Sequence, residues 1–500
     1  MSHPLLWWML PIVALCFYWL VNSVGPKLPL PPGPRKLPII GNLLDFRGLQ
    51  LPLWEVCMRW SRQYNSDIIH LNLAGTSIII LSSLEAAEAL LDKRSSIYSD
   101  RPVQHMMELM GFGFLLGSRT QRRLCNGGLN AAAAKSFRPQ QRTAAHALIR
   151  RILHSPEAFL DHIRLMAGEL IIPLTYSIDV QPVDDPYIAL AKASIECTAQ
   201  VVPGRFFVDF LPLLKYAPEW MPGSGFQRIA RQGRVLSDAV RNAAFDECQR
   251  CITSGDAKPS FVSQGFDQKY QETTVKDAAA AMYMAGLIGR KINLRHADTT
   301  VSALYTFFLA MLANPDAQVK AQREIDLVVQ EDHLPDFGDQ EEMPYVAALV
   351  KEVLRWKVVL LVGIPHFLRV EDEYRGYRIP AKAILHDETM YPDPHIFKPE
   401  RFLLNGKLNP AVKDPQAAFG FGRRVCPGRH LAESSMWIAV VSILAVFDIS
   451  KAVGENGQVH EPSYEYGDGI LSSPVPFICL IRPRSEPAAK LVEATFLGEI

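Results

Sequence analysis

The chain carries no net charge: 52 Lys and Arg are matched by 52 Asp and Glu over 500 residues. A basic excess would signal phosphate neutralisation, so composition offers no electrostatic reason to expect nucleic acid as a partner. No disulfide framework is visible either. The eight cysteines, Cys16, Cys57, Cys125, Cys197, Cys248, Cys251, Cys426 and Cys479, fall at irregular spacings, which argues against a stapled secreted fold. Cys248 and Cys251 form a lone C-x-x-C with no second pair and no nearby histidine. One such pair is half a zinc site, and two ordinary helix cysteines are the better reading. There is no internal repeat and no obvious linker within the body of the chain.

What is present begins with an uncharged run from Leu5 to Val21, rich in Leu and Trp. It is at the short end for a transmembrane helix. A cleaved leader would want a basic start and a small-residue cleavage site. Here no Lys or Arg precedes the run, while Lys27, Arg35 and Lys36 follow it. The positive-inside rule then predicts a retained single-pass anchor with the bulk of the chain in the cytosol. Next comes "PKLPLPPGPRKLPIIGN", residues 26 to 42, whose prolines fix φ and read as a stiff spacer. The expected organisation is an anchor over 1–25, a proline-rich hinge over 26–44 and one large domain over 45–500.

Within that domain, residues 68 to 81 read as a hairpin split at 74–76. From Leu84 to about Ile364 the pattern is mostly helical, 366 to 382 returns to short β-like pieces, and the last strands fall around 469 to 482. The fold class is therefore mainly α with small β-sheets.

Chemistry concentrates late in the chain. "FGFGRRVCPGRH", residues 419 to 430, sets Cys426 between Gly422 and Gly428, just before an amphipathic run from Leu431 to Phe447. At a helix N-terminus, unpaired N–H groups and the helix dipole favour a thiolate. Such a thiolate could be a nucleophile, a redox switch or a metal ligand. Upstream, "KEVLRW" puts Glu352 and Arg355 on one helix face at i, i+3, and "FKPERF" adds Arg401. Taken singly, a pair of this kind is usually a surface ion pair of little worth. A buried Glu flanked by two Arg would instead lock helix to loop through charge-assisted bonds.

These motifs, in this order, resemble the cytochrome P450 family in its membrane-anchored microsomal form, and among its members the fungal enzymes related to O-methylsterigmatocystin oxidoreductase. The resemblance runs from the anchor to about residue 485. The family's F-x-x-G-x-R-x-C-x-G signature is matched by Phe419, Gly422, Arg424, Cys426 and Gly428. The resemblance implies haem b with Cys426 as the axial thiolate, Phe419 packed nearby and Arg424 on a haem propionate. It implies a structural triad of Glu352, Arg355 and Arg401. Arg101 in "SDRP", His366 in "GIPHF" and Arg122 match positions that bind propionates.

The family's oxygen-activating A-G-x-D-T-T lies in one long central helix. Here Ala285-Gly286 is followed by "LIGRKINLRH", residues 287 to 296, before Ala297-Asp298-Thr299-Thr300. Ten added residues would lengthen a helix by about 15 Å and shift its apolar face by roughly 80°. Two further departures are a Ser, Ser118, where the family has Trp before Arg122, and about eight residues missing between "KAI" and Leu385-His386-Asp387-Glu388.

By resemblance the function is a haem-thiolate monooxygenase inserting one atom of O₂ into a lipophilic small molecule, in secondary or xenobiotic metabolism. Asp298 and Thr299 would carry protons. The implied partners are NADPH–cytochrome P450 reductase, O₂, a lipophilic substrate and membrane lipid, at the endoplasmic reticulum membrane. The alternatives are a haem-thiolate isomerase or dehydratase, and a non-catalytic product of a disrupted cytochrome P450 gene.

Overall fold

A computed structural model describes residues 28–46, 53–73, 75–181, 184–201, 206–209, 211–221, 223–286, 299–329, 333–360, 363–380, 383–385, 395–454, 456–467 and 472–495. The expected anchor, the ten residues 287–296 and Asp298 lie outside these.

Helix α1 (Leu53–Gln63) leads into strands β1 (Ile68–Leu73) and β2 (Thr76–Leu81). They pair antiparallel in the expected hairpin, from Ile68 opposite Leu81 to Leu73 opposite Thr76. A helical body follows: α2 (Arg119–Leu129), α3 (Arg138–His154), α4 (Phe159–Tyr176), α5 (Pro186–Thr198), α6 (Phe226–Ser254), α7 (Glu272–Ala285), α8 (Thr299–Ala313), α9 (Pro315–Val329) and α10 (Pro344–Trp356), with shorter helices between. Strands β3 (Asp372–Tyr374) and β4 (Tyr377–Ile379) make a small ladder. Strand β5 (Ala383–Leu385) joins β2 in parallel and completes a three-stranded sheet. After a two-residue ladder of β6 (Leu403–Leu404) and β7 (Lys407–Leu408), the chain closes with α11 (Arg429–Val446), β8 (Phe447–Lys451) and β9 (Cys479–Pro483). The helix read from Leu431 to Phe447 thus starts two residues earlier. It ends one residue earlier, because Phe447 turns to extended backbone and opens β8.

The core divides by helix. One cluster packs α3, α8, α9, α10 and α11 around Phe307, Phe308 and Trp437. A second packs α6, α7 and parts of α2 and α5 around Tyr176, Phe245 and Tyr283. Among the described residues, α11 is long and apolar enough to cross a bilayer, but it is two-thirds buried inside the protein and so reads as a core helix. Cys248, of the lone C-x-x-C, is fully buried in the second cluster on α6.

Helix α4 touches both α7 and α8 and so measures the separation between them. Gly286, which caps α7, lies so close to α4 that an added Cβ would fall 2.5 Å from Ile171 Cγ1. On α8, the Tyr305 and Phe308 rings lie 5.8 and 4.7 Å from the Phe159 ring. Ile171 and Phe159 are twelve residues apart on α4, about 18 Å along its axis. From Gly286 to Tyr305 or Phe308 is 19 to 22 residues by number, which as continuous helix would need about 29–33 Å. Without the ten residues 287–296 it would need about 14–18 Å. The contacts of α7 and α8 along α4 are therefore closer together than one unbroken helix from Gly286 to Phe308 would place them.

Candidate active site

The loop before α11 is shaped by glycine and closed by a backbone bond. Cys426 N–H donates to the Phe419 carbonyl at 2.8 Å, and Phe419 packs against the α10–α11 core. Gly422 adopts φ +56°, and an added Cβ there would lie 2.2 Å from the Leu91 carbonyl oxygen. Only glycine satisfies both conditions. Its close approach is thus to the helical turn Glu88–Lys93, which fixes the loop's seat on the protein. Gly428 caps α11, and an added Cβ there would fall 3.9 Å from Cys426 Sγ.

Cys426 presents accessible surface, yet protein atoms crowd it closely, as suits a side chain facing a recess. Burial pushes its thiol pKa up, against the lowering effects of the Gly428 N–H and the Arg122 and Arg429 cations. A coordinated metal would reverse the balance, since a coordinating thiol is deprotonated outright. Among the described residues no cluster of three or more His, Cys, Asp or Glu could hold a metal ion. A single soft donor fits an iron whose other ligands come from a macrocycle.

Three guanidiniums and the neutral imidazole of His366 gather beside this loop. Arg424 donates to the carbonyls of Ser99 (2.5 Å) and Gly117 (2.8 Å). Arg101 donates to those of Ile364 (2.7 Å) and Pro365 (2.8 Å). Arg122, on the first turn of α2, donates to Arg423 O (3.2 Å) and Val425 O (2.5 Å) and so holds the cysteine loop directly. His366 Nδ1 lies 2.8 Å from Tyr98 O, which it can only meet as a donor. Among the described residues neither Arg101 nor Arg122 is paired with a carboxylate. Burial, then repulsion from Arg424 and Arg122, draws the Arg101 pKa down to about 9. Burial, then Arg101, holds His366 at about 4. Such crowding of like charge is costly unless an anion joins it, and the two propionates of haem are anions of the right kind. Arg101 and Arg424 also line a cavity of about 760 Å³ that reaches Phe114, Gln121 and Thr274. Cys426 is not in its lining, so the cavity marks the cationic edge of the site rather than the thiol.

The structure brings Glu352, Arg355 and Arg401 together. Glu352 is fully buried. It accepts from Arg355 Nε at 2.7 Å and Nη2 at 2.9 Å, and from Arg401 Nε at 3.0 and 3.1 Å. Two backbone partners were not legible in the sequence. Lys398 N–H donates to Glu352 at 2.6 Å, and the Ile396 carbonyl accepts from both arginines. Thr299 opens α8 at an exposed position.

Two further residues escaped the sequence reading. Ser118, read there as a displaced tryptophan position, is the N-cap of α2: its Oγ accepts from Gln121 N at 3.1 Å while Gln121 Oε1 accepts from Ser118 N at 2.5 Å. The S-x-x-Q spacing carries that signal. The helix thus begins at this cap, with Arg122 in its first turn. Gln141 on α3 is buried and donates to Leu431 O, Ser434 Oγ and Ser435 Oγ at 2.7–3.0 Å, clamping the first turn of α11. No residue-type pattern announces it.

Comparison with known proteins agrees with this geometry. The sequence model of the family described as Cytochrome P450 matches residues 31–478. The chain is 43% identical to Cytochrome P450 monooxygenase 98 of Postia placenta, covering 96% of this chain and 95% of that one. It is 40% identical to Cytochrome P450 monooxygenase ple1 of Rhodocybe pseudopiperita, over 97% and 96%. It is 36% identical to Tryptamine 4-monooxygenase of Psilocybe cyanescens, over 96% and 98%. With residues 31–478 matched, the chain belongs to the cytochrome P450 family and is a haem-b, cysteine-thiolate monooxygenase that works with O₂ and an electron-donating reductase.

Proposed function

We propose that Cys426 is the axial thiolate of the haem iron and that Arg101, Arg122, Arg424 and His366 receive the haem carboxylates. The observation that carries this is the convergence of three guanidiniums, with His366 beside them, at the loop that presents Cys426. When bound, haem supplies O₂ activation, and electron donation from sulfur favours O–O cleavage. The chain's own residues do the rest. Arg122 steadies the loop through the Arg423 and Val425 carbonyls. The buried Glu352–Arg355–Arg401 network ties α10 to the segment that precedes the loop. Thr299, at the head of α8, and Asp298, its neighbour in sequence, move protons toward the site.

The substrate is a lipophilic small molecule of secondary metabolism. Electrons come from a membrane-bound NADPH–cytochrome P450 reductase. The 1–25 segment anchors the chain in the endoplasmic reticulum membrane with its body in the cytosol. Membrane contact is supported by a second feature: Phe207, Leu211, Leu213, Tyr216 and Trp220 expose 55–82% of their surface within one short segment. Apolar and aromatic side chains concentrated in this way suit a bilayer interface.

The test is turnover under ¹⁸O₂, with the full chain in vesicles beside reductase and NADPH, against a panel of lipophilic compounds. One ¹⁸O atom per product supports the reading. A product formed without NADPH and without label would instead favour the isomerase or dehydratase.

A further inference from the structure

A separate pocket of about 380 Å³, at the ends of α10, α8 and β8, is lined by Ala313, Trp356, Lys357, His395, Lys451, Glu461 and Tyr464. Its charges are unevenly matched. Glu461 is doubly satisfied, accepting from Lys451 Nζ and from the Tyr464 hydroxyl, each at 2.7 Å. Lys357 has no such partner among the described residues. Its ammonium lies over two aromatic faces, 5.0 Å from the Tyr466 ring centre and 5.7 Å from that of Trp356. Burial lowers its pKa. Trp356 is itself fixed by donation from Nε1 to the His395 carbonyl at 2.9 Å. The pocket therefore combines one half-buried, uncompensated cation with rigid aromatic walls.

We propose that this pocket binds a small organic monocarboxylate, with the carboxylate on Lys357 and the hydrocarbon body against the Trp356 and Tyr464 rings. The anion would supply the counter-charge Lys357 does not have, and the aromatic walls would accept the apolar part. The position couples such a ligand to α8 and to the turn at 472–474. Tyr466, beneath the Lys357 ammonium, donates to Thr306 Oγ1 on α8 at 3.2 Å and bridges to Pro474. Val359, two residues beyond Lys357, accepts from Ser472 N at 2.6 Å. Both contacts hold the turn at 472–474. The inference does not depend on which residue holds the haem.

The test uses the haem-loaded full chain and benzoate, followed by isothermal titration calorimetry at neutral pH. Saturable one-to-one binding is expected, weakened at least tenfold for neutral benzamide. Lys357→Met should weaken benzoate at least tenfold, and Tyr464→Ala about fivefold. Tyr464 is only partly buried and lies outside the core clusters, so the second variant decides the matter if the first loses haem. Absence of saturable binding overturns the proposal. So does equal binding of benzamide, or benzoate affinity unchanged in both variants, which would place the carboxylate on the arginine cluster at the haem edge instead.

Discussion

Replacing Glu352 by Gln keeps volume and removes one charge. In the parent, that carboxylate accepts from two guanidiniums and from the Lys398 N–H at 2.6–3.1 Å, with no solvent contact of its own. The Arg355 and Arg401 side chains are only 5% and 7% exposed, so water cannot replace the lost counter-charge. The glutamine NH₂ would also point donors at donors. Breaking one partner of a buried pair costs about 3–5 kcal/mol, a large share of the ~5–15 kcal/mol that holds a typical domain. The comparison is Lys490→Met, which removes an i, i+4 pair to Glu486 whose side chains are 69% and 79% exposed. That pair is worth well under about 1 kcal/mol. Urea unfolding followed by circular dichroism, with haem content measured in parallel, separates the two. Glu352→Gln should unfold at clearly lower urea and retain less haem, while Lys490→Met stays with the parent. Coincident curves for all three proteins would refute the claim that this network is buried and structural.

Truncating residues 1–25 should release much of the protein from membranes with the haem spectrum unchanged; equal membrane fractionation of both forms would remove the anchor from the account. Deleting residues 287–296 should raise haem incorporation and reductase-supported turnover, because the contacts of α7 and α8 along α4 are closer together than one unbroken helix from Gly286 to Phe308 would place them; robust turnover by the unaltered chain, unimproved by deletion, would contradict this. His70 is buried in β1, and burial, then Lys36 and Arg378, holds its pKa at about 4. Its folded pKa lies below the unfolded value, so its contribution is complete above about pH 6.5 and is lost as pH falls toward 4, by about 3 kcal/mol at most. His70→Gln should flatten that part of a stability–pH profile, and superimposable profiles would show that His70 is not the titrating group.

The parts of the site legible in the sequence are those where one residue type has one use. Cys426 among glycines and arginines, the Glu352–Arg355 spacing and the 68–81 alternation all point to structure through local chemistry. What stayed hidden depends on backbone atoms far away in sequence. Nothing in "GFGRR" tells that Gly422 must clear the Leu91 carbonyl. Nothing in "TQRRL" tells that Arg122 will reach the carbonyls of Arg423 and Val425. Ser118 shows a different failure. Its capping box was readable, but comparison with a longer template drew attention to the missing tryptophan rather than to the helix start that replaced it.

The central claim is that Cys426 presents its sulfur to haem iron. The carbon monoxide difference spectrum of the reduced protein tests it most directly, run on the parent and on Cys426→Ala in parallel. The account predicts a Soret band near ~450 nm for the parent, the mark of thiolate-bound haem, and its loss in the variant. Cys248→Ser and Cys251→Ser should keep the band. A parent without the band, or a Cys426→Ala protein that retains it with full haem content, would contradict the assignment.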